Sequence, residues 1–120
     1  MKEIYDSLKA YPEVEIVITD DGSTDNTVQE ALDAAQECGC NLQVVSHEQS
    51  CGQSTAVLTA VKHAKGEWII TSDADGQNDP SDMPSMLELA AKATNPHFCI
   101  AGYRGETLGY GLGSLSVQSR

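Results

Sequence analysis

Apolar and polar positions switch between two periods along the chain. Ile4 and Leu8 stand four apart, which predicts a short helix over residues 3–10 that Pro12 interrupts. Val14, Ile16, Val17 and Ile18 then form an apolar run, read as a buried strand over 14–19. Val28, Ala31, Leu32 and Ala35 make one face of a helix that Ser23 or Thr24 caps and Gly39 ends. Residues 42–46 read as a short strand, followed by a polar loop over 47–52. The next helix, 53–64, turns Ala56, Val57, Ala60, Val61 and Ala64 inward and stops at Gly66. Residues 67–72 predict a third strand. Pro80 suits the first turn of a further helix, with Asp79 or Ser81 as its cap and Met83, Met86, Leu87, Ala90 and Ala91 on its buried face. Pro96 closes that segment, and 97–101 reads as a fourth strand.

Strand and helix taking turns argue for βα units around a largely parallel sheet, an α/β fold with all four strands in one sheet. After Arg104 the alternation stops. Gly105, Gly109, Gly111 and Gly113 are mixed with Ser114, Ser116 and Ser119, so 1–104 is expected to be the domain and 105–120 an irregular, mobile tail. Gly109-Tyr110-Gly111-Leu112-Gly113 lacks the preceding strand and following helix that a dinucleotide loop needs.

Composition narrows the partners. With 120 residues there is room for one modest core. A formal charge of −11, with seven scattered Lys and Arg, disfavours nucleic acid and anionic membrane as direct partners. No apolar run approaches the roughly 18 residues of a membrane span. The N-terminus has no signal-peptide pattern, and a cytoplasmic location is expected. Cys38, Cys40, Cys51 and Cys99 lack the spacing of a zinc site and are read as thiols, not ligands. His47 and His63 fall in no nucleophilic arrangement, and His63 is expected to be solvated.

The candidate chemistry lies in two acidic clusters, each directly after a strand. Asp20-Asp21-Gly22-Ser23-Thr24-Asp25 follows the first, and Asp73-Ala74-Asp75-Gly76-Gln77 follows the third. Ligands of open α/β sheets bind at the carboxyl ends of strands. Oxygen donors at Asp73, Asp75 and Gln77 suit Mg²⁺ or Mn²⁺, with diphosphate oxygens completing the shell; solvated Asx-turns and caps are the plainer alternative. One carboxylate of Asp20 and Asp21 can accept from a base or ribose while the other holds the turn, and Asp25 reads as a first-turn residue favoured by the helix dipole.

In order and spacing, the first acidic motif, Gly52-Gln53-Ser54 with its alanine-bearing helix, Lys65-Gly66-Glu67, and the run from Asp73 to Pro84 resemble the family 2 glycosyltransferases of the GT-A fold. The likeness covers about residues 3–104 and is greatest to polyprenyl- and dolichyl-phosphate sugar transferases. It implies a Rossmann-like three-layer α/β/α sandwich, here truncated. It implies a UDP- or GDP-linked sugar donor and a lipid-phosphate acceptor, whose oxygen attacks the anomeric carbon with inversion. By the same resemblance Asp20, Asp21, Gly22 and Ser23 serve the nucleoside side of the donor, together with Asp73 and Gln77. Asp73, Asp75 and Gln77 hold the metal and diphosphate, Arg104 meets substrate phosphate, and Asp73, Asp75 and Arg104 are the catalytic set.

Departures from the family shape two further expectations. The family's first strand, with its Pro-x-x-Asn-Glu-like loop, has no counterpart, and position 51 is Cys where an aromatic-Gly loop is familiar. Little turnover is therefore expected of residues 1–120 alone, and exposed strand edges are expected to promote self-association. Two other classes stay open: a non-catalytic truncated nucleotide-sugar-binding domain, and a Mg²⁺-binding phospho-receiver-like module. The latter calls for a lysine after the fourth strand, where Arg104 is the nearby basic residue. Full-length relatives are expected at the cytoplasmic face of a membrane.

Overall fold

The computed structural model describes residues 1–11, 13–73, 78–97, 99–103 and 112–119. The chain divides into two compact units, Met1–Gly66 and Glu67–Arg120.

The first unit runs α1 (Lys2–Leu8), β1 (Glu15–Asp20), α2 (Thr27–Cys38), β2 (Asn41–Ser46) and α3 (Gln53–His63). Strands β1 and β2 pair in parallel, from Glu15 opposite Asn41 to Asp20 opposite Ser46. This is the expected βαβ connection, and it brings the carboxyl ends of both strands to one edge. Gly39 ends α2 as expected: in the left-handed conformation at φ 70°, it lets the Cys40 N–H reach back to the Ala35 carbonyl at 3.2 Å. At the other end the cap differs. Asn26, not Ser23 or Thr24, is the N-cap of α2, because Asp25 draws the chain round by accepting from the Thr27 N–H at 3.1 Å and from the Thr27 hydroxyl. These bonds hold the Asp25 carboxyl below its ordinary range. Glu15 Oε1 accepts from the N–H groups of Lys65 and Gly66 at 2.5 and 2.8 Å, which ties the end of α3 to the start of β1.

Burial in this unit is thinner than the sequence pattern predicts. Leu8 and Ala35 are its buried apolar residues among those described, whereas Leu32 and Val57, both expected inside, are 41% and 39% exposed. Two described strands span about 5 Å, and a helix with its side chains is about 10 Å across. A sheet that narrow leaves part of each helix face uncovered.

The second unit holds β3 (Trp68–Thr71), a 3₁₀ turn (Pro80–Asp82), α4 (Met83–Ala91), β4 (Cys99–Tyr103) and β5 (Leu112–Ser119). Asp79 is the cap anticipated for this helical stretch, accepting from the Ser81 N–H at 2.9 Å, and Ser81 holds its carboxyl below the usual range. Met83, Met86, Leu87 and Ala90 of α4 are buried as expected; Ala91 is exposed.

Two expectations about the sheet are corrected. The four predicted strands do not share one sheet: among the described residues, β1 and β2 form one pair and β3, β5 and β4 form a second sheet in that order. The stretch expected to be irregular supplies β5 over Leu112–Ser119, antiparallel to both β3 and β4. Ile70 and Ile100 both stand opposite Val117, so β5 provides the main-chain partners for β3 and β4 inside their own unit. What the chain forms is a mixed α/β arrangement with alternating helices and a small parallel sheet, as in a truncated Rossmann-like fold. No helix among the described residues is long and apolar enough to cross a membrane.

Candidate functional site

The parallel register of β1 and β2 builds the site. The ladder continues one step past the strands, where the His47 N–H donates to the Asp20 carbonyl at 2.8 Å. Residues leaving the two strands are thereby side by side, and the loop over 47–52 folds across the first acidic motif. Asp20 is buried, at 8% exposure, and its Oδ1 accepts from the Ser23 N–H at 3.2 Å. That bond closes the turn that carries Gly22 and Ser23.

Asp21 is the hub. Its Oδ1 accepts from His47 Nδ1 at 2.7 Å and from the Cys51 N–H at 2.8 Å. Its Oδ2 accepts from the Ser50 hydroxyl at 2.9 Å and from the Gly52 N–H at 3.0 Å. Two bonds to each oxygen fill the four acceptor positions of a carboxylate. The same carboxylate lies at the N-terminus of α3, whose N-cap is Gly52, where the helix dipole favours negative charge. The His47 contact foremost, then the Cys51 N–H and the Ser50 hydroxyl, hold the Asp21 carboxyl well below the usual carboxylate range.

An ionised carboxylate only accepts, so Nδ1 of His47 carries a proton toward it. On the far side of the ring Nε2 meets the Thr59 hydroxyl at 2.9 Å, and in the neutral ring that hydroxyl donates. The His47 and Asp21 side chains are only 14% and 25% exposed, which sets this pair apart from solvated surface pairs of little consequence. Gly22 makes the close approach feasible. Its φ is +82°, and a Cβ there would lie 2.9 Å from the Ser50 nitrogen.

Asp21, His47 and Cys51 place a carboxylate oxygen, a ring nitrogen and a thiol sulfur within 4.8 Å of one another, an arrangement compatible with a metal site. Mixed O, N and S donors suit a borderline-soft ion and not Mg²⁺, which takes oxygens in octahedral geometry. Sequence reasoning weighed His47 and Cys51 and set both aside as site residues, and it did not single out Ser50 or Thr59. The available signal was His47 directly after β2, just as Asp20 and Asp21 flank the end of β1; adjacent parallel strands make such positions neighbours.

Of the other predicted site residues, Asp73 lies two residues beyond β3 and is half-buried. Asn78 Nδ2 donates to Ser72 Oγ at 3.3 Å and reaches the Asp73 carbonyl at 3.5 Å. Asp75, Gln77 and Arg104 lie outside the described residues.

The profile described as "Glycosyl transferase family 2" matches residues 1–119. The undecaprenyl-phosphate 4-deoxy-4-formamido-L-arabinose transferase of Pseudomonas fluorescens (strain SBW25) is 42% identical over 79 residues, 66% of this chain and 23% of that protein. The protein of the same name from Edwardsiella ictaluri (strain 93-146) is 40% identical over 76 residues, 63% of this chain and 23% of its own length. The aligned stretch thus spans about a quarter of these curated relatives. With the profile running through both acidic motifs and across both units, the chain belongs to glycosyl transferase family 2.

Proposed function

We propose that this chain carries donor-site elements of a nucleotide-sugar-dependent glycosyltransferase of the GT-A fold that transfers a sugar to a polyprenyl phosphate with inversion. The observation that carries the reading is the loop bonded through Asp21 at the shared end of β1 and β2, taken with family membership. The names of the relatives support a lipid-phosphate acceptor. In this reading Asp20, Asp21, Gly22 and Ser23 form the nucleoside side of the site. Since the Asp21 oxygens are already filled, a base or ribose donor reaches that carboxylate only by replacing one of its loop bonds. Asp73, Asp75 and Gln77 offer an all-oxygen donor set of the kind Mg²⁺ or Mn²⁺ takes, and that ion would neutralise the diphosphate. Arg104 would complete the catalytic set with Asp73 and Asp75 by meeting substrate phosphate. The work would take place in the cytoplasm or at the cytoplasmic face of a membrane.

Transfer depends on donor, metal and acceptor being held together, and a misplacement of about 1 Å can cost roughly 10²-fold in rate. Residues 1–120 alone are therefore expected to bind donor with little turnover. Saturation-transfer NMR against UDP, GDP and ADP with Mn²⁺ tests the reading, followed by a transfer assay on undecaprenyl phosphate. Saturable binding of UDP or GDP in preference to ADP supports it. Absence of binding by all three contradicts it.

A further inference from the structure

We propose that Asp21, His47 and Cys51 form a binding site for a thiophilic divalent cation, Zn²⁺ foremost, in which the ion takes the place of the proton between His47 and Asp21. The inference does not rest on the sugar-transfer reading and concerns a different ion from the Mg²⁺ or Mn²⁺ assigned to Asp73, Asp75 and Gln77.

Three observations carry it. The first is the donor set. A nitrogen, a sulfur and a carboxylate oxygen from two adjacent loops lie within 4.8 Å of one another. Ligand atoms around a tetrahedral Zn²⁺ stand about 3.3–3.6 Å apart, given metal–ligand distances of about 2.0–2.3 Å. The His47 Nδ1 to Asp21 Oδ1 distance of 2.7 Å therefore opens by about 0.6 Å when an ion replaces the proton. Cys51 is exposed, and its Sγ makes only a weak contact with the Gln49 carbonyl at 3.2 Å, so it can swing inward without breaking a core interaction.

The second observation is how the carboxylate is held. Of the four bonds on Asp21, entry of the ion replaces only the one from His47. The Ser50 hydroxyl and the N–H groups of Cys51 and Gly52 continue to fix the carboxylate. The third is the far side of the ring. A metal on Nδ1 moves the ring proton to Nε2, where Thr59 Oγ1 at 2.9 Å accepts it as readily as it donated before. Metal-bound histidines are oriented by such a partner on the other nitrogen, whose loss costs about 10–100-fold in affinity. The protons balance: the ring proton passes from Nδ1 to Nε2 and stays on His47, and the Cys51 thiol proton leaves as the ion enters, so apparent affinity rises with pH. Three protein ligands leave the fourth position to water. Occupancy would clasp the loop over 47–52 to the end of β1.

Co²⁺ titration of the full 120-residue chain under reducing conditions tests this, because a bound thiolate gives cobalt a ligand-to-metal charge-transfer absorption. The expected result is a band saturating at one ion per chain, displaced by Zn²⁺ and unaffected by millimolar Mg²⁺. It should vanish in Cys51→Ser and persist in a Cys38→Ser/Cys40→Ser double variant. Thr59→Val should weaken Zn²⁺ about tenfold or more in competition with a chromophoric chelator. Cys51→Ser, at an exposed position, should melt like the parent without metal and lose the rise in Tm that Zn²⁺ gives the parent. No band in the parent chain, a band that survives Cys51→Ser, or one that follows Cys38 and Cys40 would overturn the proposal.

Discussion

Gly22 shows at single-residue scale how the acidic motif is held. Its left-handed backbone costs an L-residue about 1–2 kcal/mol, and an added Cβ would press on the Ser50 nitrogen at 2.9 Å. That neighbour is backbone, with no flexible tail to move aside. Gly22→Ala should therefore destabilise the chain by about 2 kcal/mol or more in urea unfolding, while an alanine at exposed Glu48 should stay within about 0.5 kcal/mol. Asp21 makes a second prediction at this scale. Its carboxyl is held below its ordinary value, so the unfolded chain, near pKa 3.9, takes up the proton first as pH falls. The stabilisation is complete above about pH 4 and is lost as pH drops through the folded-state value. Melts from pH 6 to 2 should show Asp21→Asn less stable than the parent at the upper end and converging with it in acid. Parallel curves would show that the Asp21 carboxyl is not held below its ordinary value in the folded chain. Asp25 and Asp79 are also held low but titrate in both proteins and cancel from the comparison.

Among the elements, α4 is the one whose stripe most nearly matches its burial. Leu87 and Leu89 lie two residues apart on one helix and face opposite environments, at 9% and 56% exposure. Leu87→Ala should cost about 2–5 kcal/mol and Leu89→Ala about 0.5 kcal/mol or less, read as midpoint shifts in urea. Equal losses would mean that the face of α4 has been misassigned. The same contrast explains what the sequence made legible. Helix and strand positions were readable because the 3.6-residue stripe of α4 and the apolar run of β1 are local signals. Strand β5 was missed because its two-residue alternation, Leu115 and Val117 against Ser114, Ser116 and Gln118, is short and follows a glycine-rich run. The exposure of Leu32 and Val57 was unreadable for another reason. Burial depends on how wide a sheet lies beneath a helix, and no period in the helix itself records that width.

For the molecule as a whole, the acidic strand ends were recognised as candidate chemistry from sequence, and the partners that bind them were not. Asp21 and His47 are 26 residues apart, joined only because β1 and β2 run in parallel and end together. No spacing rule within either loop contains that information. The central proposal is that this family 2 chain binds a nucleotide sugar, with Asp73 and Asp75 holding the metal ion that assists it. Its most direct test is calorimetric titration of the full chain with UDP and with GDP, in the presence and absence of Mn²⁺, beside an Asp73→Asn/Asp75→Asn double variant. The account predicts Mn²⁺-dependent binding of at least one nucleotide that falls tenfold or more, about 1.4 kcal/mol, in the double variant. Binding of equal strength in both proteins, or heat that ignores Mn²⁺, would contradict it.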